Sequence, residues 1–234
     1  MSGFFGCVSK KDCVADVFYG TDYHSHLGTK RAGMSFFNGE LFVRSIHSLE
    51  SAYFRNKFEA ELDRFAGSKQ GIGFISATES QPITLTSHLG RFSIVTIGRI
   101  DNIAEISEGL LQDKVNFAEL SGSTINPTEL VAVVISRSAS FEEGIREVHR
   151  RVKGSCSFLI LTESGIYAVR DRFGRTPVVL GKNGYGYVAA TESSSFTNLD
   201  YSLVRDVEAG EAVFMDAEGI RQVIPPGRRK QVCS

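Results

Sequence analysis

Few residues in this sequence stand at spacings that do chemistry by themselves. His24 and His26 are two apart, which on a strand would put two imidazoles on one face, where they could share a metal ion. The other histidines, His47, His88 and His149, are distant in sequence and no carboxylate cluster accompanies the pair. Hydrogen-bonded structural histidines are therefore the stronger reading. Cys7 and Cys13 lack a second cysteine pair and a nearby histidine at ligand spacing, which favours core packing over zinc. No metal site and no cofactor is expected. Asp171, Arg172 and Arg175 crowd one turn, and an acid between guanidinium groups suits a hydrogen-bonded turn and a domain contact. Gly28 and Gly98 read first as turn glycines. Arg228, Arg229 and Lys230 follow Pro225-Pro226-Gly227 and read as a solvated exit segment, not a phosphate site.

The elements that must position these residues are mostly short strands. The chain has 234 residues with 23 glycines, five prolines and 17 phenylalanines, a composition of many strands joined by tight turns. Apolar runs of strand length lie at 71–77, 92–98, 157–163, 165–170, 177–181, 185–191 and 211–216, the later ones reading as successive antiparallel strands. Between the two groups, Asn126-Pro127-Thr128-Glu129 has a cap residue, a proline at the first helical position and an acid at the third, the signature of a reciprocal cap. Glu129 is accordingly read as a capping acid. A second helix starts at Ser140, with Phe141, Ile145, Val148 and Val152 on one stripe. Strands, helices and strands again suit a layered α+β domain better than a parallel βαβ fold.

Composition excludes several classes of function. Hydrophobic residues make up 42% and charged residues 23%, with a net charge of −1, an ordinary globular balance that argues against a nucleic-acid surface. No stretch approaches the roughly 18 apolar residues of a membrane span, and the N-terminus lacks a signal-peptide layout. A cytoplasmic protein with four reduced cysteines is expected.

Several motifs, in order, carry a family resemblance. Ser2-Gly3-Phe4-Phe5-Gly6 resembles the opening Cys-Gly-x-Phe-Gly of class II glutamine amidotransferases of the amidophosphoribosyltransferase type. His26-Leu27-Gly28 with Ala32-Gly33 resembles the family's His-Arg-Gly-Gln-x-x-Ala-Gly segment, and Gln81-Pro82 its Gln-Pro. The run from Gly165 to Gly181, containing Arg170-Asp171-Arg172-Phe173-Gly174-Arg175-Thr176-Pro177, is similar to the family's Arg-Asp-x-x-Gly-x-Arg-Pro segment. Glu192-Ser193 and the run from Val204 to Glu211 continue the match over nearly the whole chain.

The resemblance implies the N-terminal nucleophile hydrolase fold, a four-layer αββα sandwich of two antiparallel sheets between helices. It also implies hydrolysis of glutamine and transfer of ammonia to a phosphoribosyltransferase domain. That partner, expected in cis, would follow residues 1–224 through an exit segment at 225–234, and a homo-oligomer is expected.

The resemblance places Ser2 where the family has its catalytic cysteine. With Met1 removed, its hydroxyl would lie beside an amine whose ordinary pKa is about 7.7 to 8.0. A serine depends more heavily than a cysteine on its base and oxyanion donors. Gly98 stands as the backbone oxyanion donor and Gly28 as a substrate-binding residue. Ser76 occupies the place of the family's carboxylate-binding arginine, Ile97 that of its oxyanion asparagine and Pro127 that of its ammonium-binding aspartate. Losing one oxyanion donor alone costs about 2.7 to 4 kcal/mol. The expectation is a domain degenerate for glutamine hydrolysis, serving as a structural, regulatory or ammonia-channel partner, with no guanidinium or carboxylate reaching the pocket from elsewhere. Two alternatives stand beside it: a Ser2-dependent hydrolase of another amide, in a pocket remodelled by Phe74, Ile75 and Ile97, and a non-catalytic sensor of a small-molecule ligand.

Overall fold

A computed structural model describes residues 2–121 and 124–227. Met1 and the segment 228–234, including the basic run, lie outside the described residues. In chain order the strands are β1 (Ser2–Ser9), β2 (Arg31–Phe37), β3 (Phe42–Ser48), β4 (Gln70–Ser76), β5 (Ile83–Ser87), β6 (Gly90–Ile100), β7 (Leu120–Ser121) and β8 (Thr124–Ile125). They continue with β9 (Gly154–Leu161), β10 (Ile166–Val169), β11 (Val179–Lys182), β12 (Gly186–Ala190), β13 (Ser202–Asp206), β14 (Ala212–Asp216) and β15 (Gly219–Ile224). The α-helices are α1 (Val14–Asp22), α2 (Phe54–Phe58), α3 (Ile103–Gln112), α4 (Pro127–Ser136) and α5 (Phe141–Arg151).

The strands form a seven-stranded sheet, ordered β13-β11-β12-β1-β4-β2-β3, and a six-stranded sheet, ordered β15-β14-β10-β9-β6-β5, with β7 and β8 as a separate pair. The pairings in both large sheets are antiparallel.

Side-chain alternation explains the layering, because a strand sends successive residues to opposite faces. On β1, Phe4 and Val8 enter an apolar layer shared with Val95, Ile97, Leu159 and Leu161 of the other sheet. Phe5 and Cys7 face the opposite way, against Val17 and Phe18 of α1 and Phe54 and Phe58 of α2. The six-stranded sheet repeats the pattern, with Phe158 and Ile160 packing outward on α3, α4 and α5. The result is helix, sheet, sheet, helix, as expected.

Two local expectations need correction. The strands of the second half do not form one continuous ladder: β9, β10 and β14 share one sheet, whereas β11, β12 and β13 belong to the other. Asn126 does cap α4, accepting from the Thr128 amide at 2.9 Å. Glu129, however, reaches away from the cap, accepting from the amides of Ala118 at 2.8 Å and Glu119 at 2.9 Å. Two unpaired backbone donors of the incoming segment attract a carboxylate more strongly than one amide at the cap.

Candidate functional site

Strand β1 lies between β12 and β4, and Ser2 is paired in register with Ser76 at the end of β4. Both residues continue the inward-facing parity of Phe4 and Phe74. Their side chains therefore meet at one end of the gap between the sheets. The Ser2 hydroxyl donates to Ser76 Oγ at 3.1 Å, and Ser76 donates to Glu79 Oε2 at 3.2 Å. The Thr78 amide donates to Ser76 Oγ at 3.0 Å, while the Thr78 hydroxyl donates to Glu79 at 2.5 Å.

Two cavities, of about 260 Å³ and about 490 Å³, meet at this point and share Ser2, Glu79, Ile97 and Gly98 in their walls. The smaller continues along Ile100, Ile103 and Pro127, with Arg99 beside them. The larger extends over Thr78, Arg175, Thr191 and Glu192. Segment 96–98 is held from behind: Gln81 accepts from the Thr96 amide at 2.7 Å and donates to its carbonyl at 3.2 Å. The Thr96 and Thr128 hydroxyls lie 2.7 Å apart. Gly98 has φ of +116°, and a Cβ there would lie 2.4 Å from the Ser155 carbonyl oxygen, so glycine is required on both counts.

The sequence-derived candidates are thus partly gathered. Ser2 and Gly98 share both cavity walls, and the substituted positions Ile97 and Pro127 line the space beside them. Gly28 lies directly behind Ser76, where a Cβ would come within 2.6 Å of the Ser76 amide nitrogen. It is in neither cavity wall. Phe74 and Ile75 do not remodel the pocket: Phe74 is buried between the sheets and Ile75 against the outer helices.

The histidine pair separates. His24 is fully buried, bonds the Gly20 carbonyl through Nδ1 at 2.7 Å, and has its pKa lowered by burial. His26 faces Glu192 at 3.2 Å. Among the described residues, no group of three or more His, Cys, Asp or Glu could hold a metal ion.

The Asp171 turn is fully bonded. Its carboxylate accepts from the amides of Phe173 at 3.0 Å and Thr176 at 2.9 Å, and Arg170 donates to the carbonyls of Gly174 and Val207.

Four charged groups were not foreseen at the pocket. Arg99 and Arg175 bring guanidinium groups to the cavities, and Glu79 and Glu192 bring carboxylates, contrary to the expectation that none reaches it. Glu79 carried a faint signal, an acid three residues after the serine that abuts Ser2. The two arginines are exposed: Arg99 pairs with Asp101 at 2.9 Å, and the Arg175 guanidinium lies 5.2 Å from the centre of the Phe173 ring.

A model of the glutamine amidotransferase domain family matches residues 71–198. The amidophosphoribosyltransferase of Bacillus subtilis is 27% identical over 94% of this chain and 47% of its own length. The corresponding protein of Methanocaldococcus jannaschii is 25% identical over 91% of this chain and 46% of its own length. The chain spans about half the length of the curated relatives it matches.

Among solved structures, the glutamine phosphoribosylpyrophosphate amidotransferase of B. subtilis, complexed with ADP and GMP, superposes with a TM-score of 0.85 at 25% identity, covering 95% of this chain and 49% of that one. A glutamine aminotransferase class-II domain protein from Silicibacter pomeroyi shares the fold at a TM-score of 0.61 and 10% identity, covering 96% of this chain and 100% of that one. With more than half of its length matched by the family model and its two-sheet architecture reproduced in these relatives, the chain belongs to the glutamine amidotransferase domain family, in its class II, N-terminal nucleophile hydrolase form.

Proposed function

We propose that residues 1–224 are the glutaminase-type half of an amidophosphoribosyltransferase-like protein, blunted for glutamine hydrolysis. It acts as a structural, regulatory or ammonia-channel partner of a phosphoribosyltransferase domain in the same protein, reached through the segment 225–234. A homo-oligomer in the cytoplasm is part of this reading. The observation that carries it is the convergence of the substituted positions on Ser2: Ser76 bonds it, Ile97 lines both cavities and Pro127 lines one. An inner wall of hydroxyl, sec-butyl and pyrrolidine groups offers no guanidinium to the carboxylate of glutamine, and the Glu79 carboxylate in both walls is already bonded by Ser76 and Thr78. Arg99 and Arg175 are exposed, and exposed ion pairs contribute at most about 1 kcal/mol each.

The full-length protein, supplied with phosphoribosyl pyrophosphate and either ammonia or glutamine, tests this. Ammonia is expected to support product formation, and glutamine to support it at least about a thousandfold less well, the loss of about 4 kcal/mol at the transition state. Equal rates with the two nitrogen donors would overturn the proposal.

A second reading is favoured by a specific observation. The hydroxyl of Ser2 is not idle but ordered, and Ile97, Ile100 and Ile103 line the smaller cavity beside it. A pocket that has lost its grip on a zwitterion and acquired apolar walls suits an uncharged carboxamide or ester, cleaved by Ser2.

A further inference from the structure

We infer that Ser2 is activated by a two-step proton relay through Ser76 to Glu79, and not by an amine of its own. The inference rests on the reading of Ser2 as a hydrolytic nucleophile and specifies its base.

The direction of the relay follows from counting donors and acceptors. A serine hydroxyl has one proton and two lone pairs. At Ser76, the two acceptor positions are filled by the Ser2 hydroxyl at 3.1 Å and the Thr78 amide at 3.0 Å. The single proton of Ser76 therefore points to Glu79 Oε2, 3.2 Å away. The Thr78 hydroxyl, whose own proton goes to the same carboxylate, is the weaker acceptor for Ser76: it lies farther away, at 3.4 Å, and carries no charge. Ser76 is fully buried, which shields the middle of the chain from exchange with water. The three groups thus form a one-way sequence of donors ending on an anion. Glu79 lies in the walls of both cavities, so the base and the nucleophile face the same space. Oxygen separations slightly above the usual 2.7–2.8 Å for hydroxyl donors are expected before a substrate closes the site.

The chemistry balances without a further reagent. As Ser2 Oγ forms a bond to the carbonyl carbon, its proton passes to Ser76 Oγ while the proton of Ser76 passes to Glu79. Collapse of the tetrahedral intermediate breaks the carbon–nitrogen or carbon–oxygen bond, and the leaving group takes its proton directly from Glu79, which faces the cavities. Water then attacks the acyl-serine as Glu79 takes its proton, and the departing Ser2 oxygen is reprotonated through Ser76 from Glu79. None of these steps uses the nitrogen of Ser2, so removal of Met1 is not required.

Diisopropyl fluorophosphate tests the relay without knowledge of the natural substrate. Its phosphorus bonds to an activated serine oxygen as fluoride leaves, and the hydroxyl proton goes to the base. Peptide mapping is expected to find the label on Ser2. The first-order labelling constant at saturating reagent should fall about a hundredfold or more in both Ser76→Ala and Glu79→Gln, with the half-saturating concentration unchanged and partial recovery in Glu79→Asp. Protein that retains Met1, in which the Ser2 nitrogen is a peptide amide, should label at the same rate as processed protein. That rate should show no step in the amine range of about 7.7 to 8.0.

Labelling of Ser2 that survives both substitutions, or that is lost when Met1 is retained, would overturn the relay while leaving Ser2 a nucleophile. Folded protein in which Ser2 takes no label would overturn the hydrolytic reading and the relay with it. Ser76→Ala, Glu79→Gln and the Met1-retaining form probe three different joints, so misfolding of any one leaves the others to decide.

Discussion

Burial sets the titration of His149 as firmly as any contact made by its ring. Its Nε2 is enclosed without a partner, and burial lowers its pKa to about 4, against a smaller opposing pull from Asp171 and the Arg170 backbone. The folded protein therefore keeps this imidazole neutral where the unfolded chain, titrating near 6.5, takes up a proton. Stability from this source is complete above about pH 6.5 and falls as the pH drops toward 4, by on the order of 3 kcal/mol. Glu147 works in a lower window: hydrogen bonds from Arg150 hold its pKa at about 2, so its contribution is lost only below the ordinary carboxylate range. Urea denaturation at pH 7 and pH 4.5 is expected to show the loss in the wild type and a smaller one in His149→Phe; an unchanged slope in the variant would refute the assignment. At this scale the sequence was partly legible. Ser2 and Gly98 could be singled out through the family resemblance, which assigns a nucleophile and an oxyanion donor to their positions. Glu79, Arg99 and Arg175 could not, because their arrival at the two adjoining cavities depends on where three separate loops and strand ends come to rest.

Among the elements, α4 shows both what a local pattern specifies and what it leaves open. Asn126 and Pro127 mark the helix start without reference to the rest of the chain, since a cap acceptor and a proline at the first position act within one turn. The partner of Glu129 is a different matter. It is chosen by the segment that happens to pass, and here the amides of Ala118 and Glu119 pass it. Asn126 also donates to the Ser80 carbonyl at 3.1 Å, tying the helix to the segment beside Gln81. Asn126→Ala is expected to cost about 1 to 2 kcal/mol. Glu129→Ala, which strips a carboxylate from two backbone donors, should cost about 2 to 4 kcal/mol. Thermal denaturation of the two variants checks the order; an equal or reversed cost would show that the cap is the stronger tie. Strand legibility followed a similar rule. The apolar runs of β6, β9, β10 and β12 stand out, but β13 is exposed throughout and has no apolar stripe to detect. In β1, where both faces are buried, the period-two pattern disappears.

For the whole molecule, the layered α+β class was legible because strand-length apolar runs stand on both sides of a helical region, and the two-sheet, four-layer form was legible through the family resemblance. The division of strands between sheets was not, because β10 and β11 are neighbours in sequence and look alike, yet the bonded turn at Asp171 sends the chain from one sheet to the other. A buried carboxylate ties the edges of the two sheets together at that end. Glu211, 1% exposed, receives both guanidinium nitrogens of Arg205 on β13 at 2.7 Å, the side chain of Gln222 on β15 at 2.7 Å and the amide of Glu208 at 2.7 Å. Strand β13 edges the seven-stranded sheet and β15 the six-stranded sheet, so this one side chain joins the outer strands of both layers. Its removal leaves a partly exposed guanidinium, the Glu208 amide and the Gln222 side chain without their acceptor, and Glu211→Ala is expected to cost about 2 to 3 kcal/mol. Arg205→Met, which removes a partly exposed cation but leaves the other two donors on the carboxylate, should cost less. Hydrogen exchange should show whether the link acts across the molecule. In Glu211→Ala, amides of β13 and β15 are expected to lose protection together, while those of β1 and β9 at the sheet centres retain it. Loss confined to one of the two edge strands would mean that the apolar layer between the sheets, and not this carboxylate, holds that end closed.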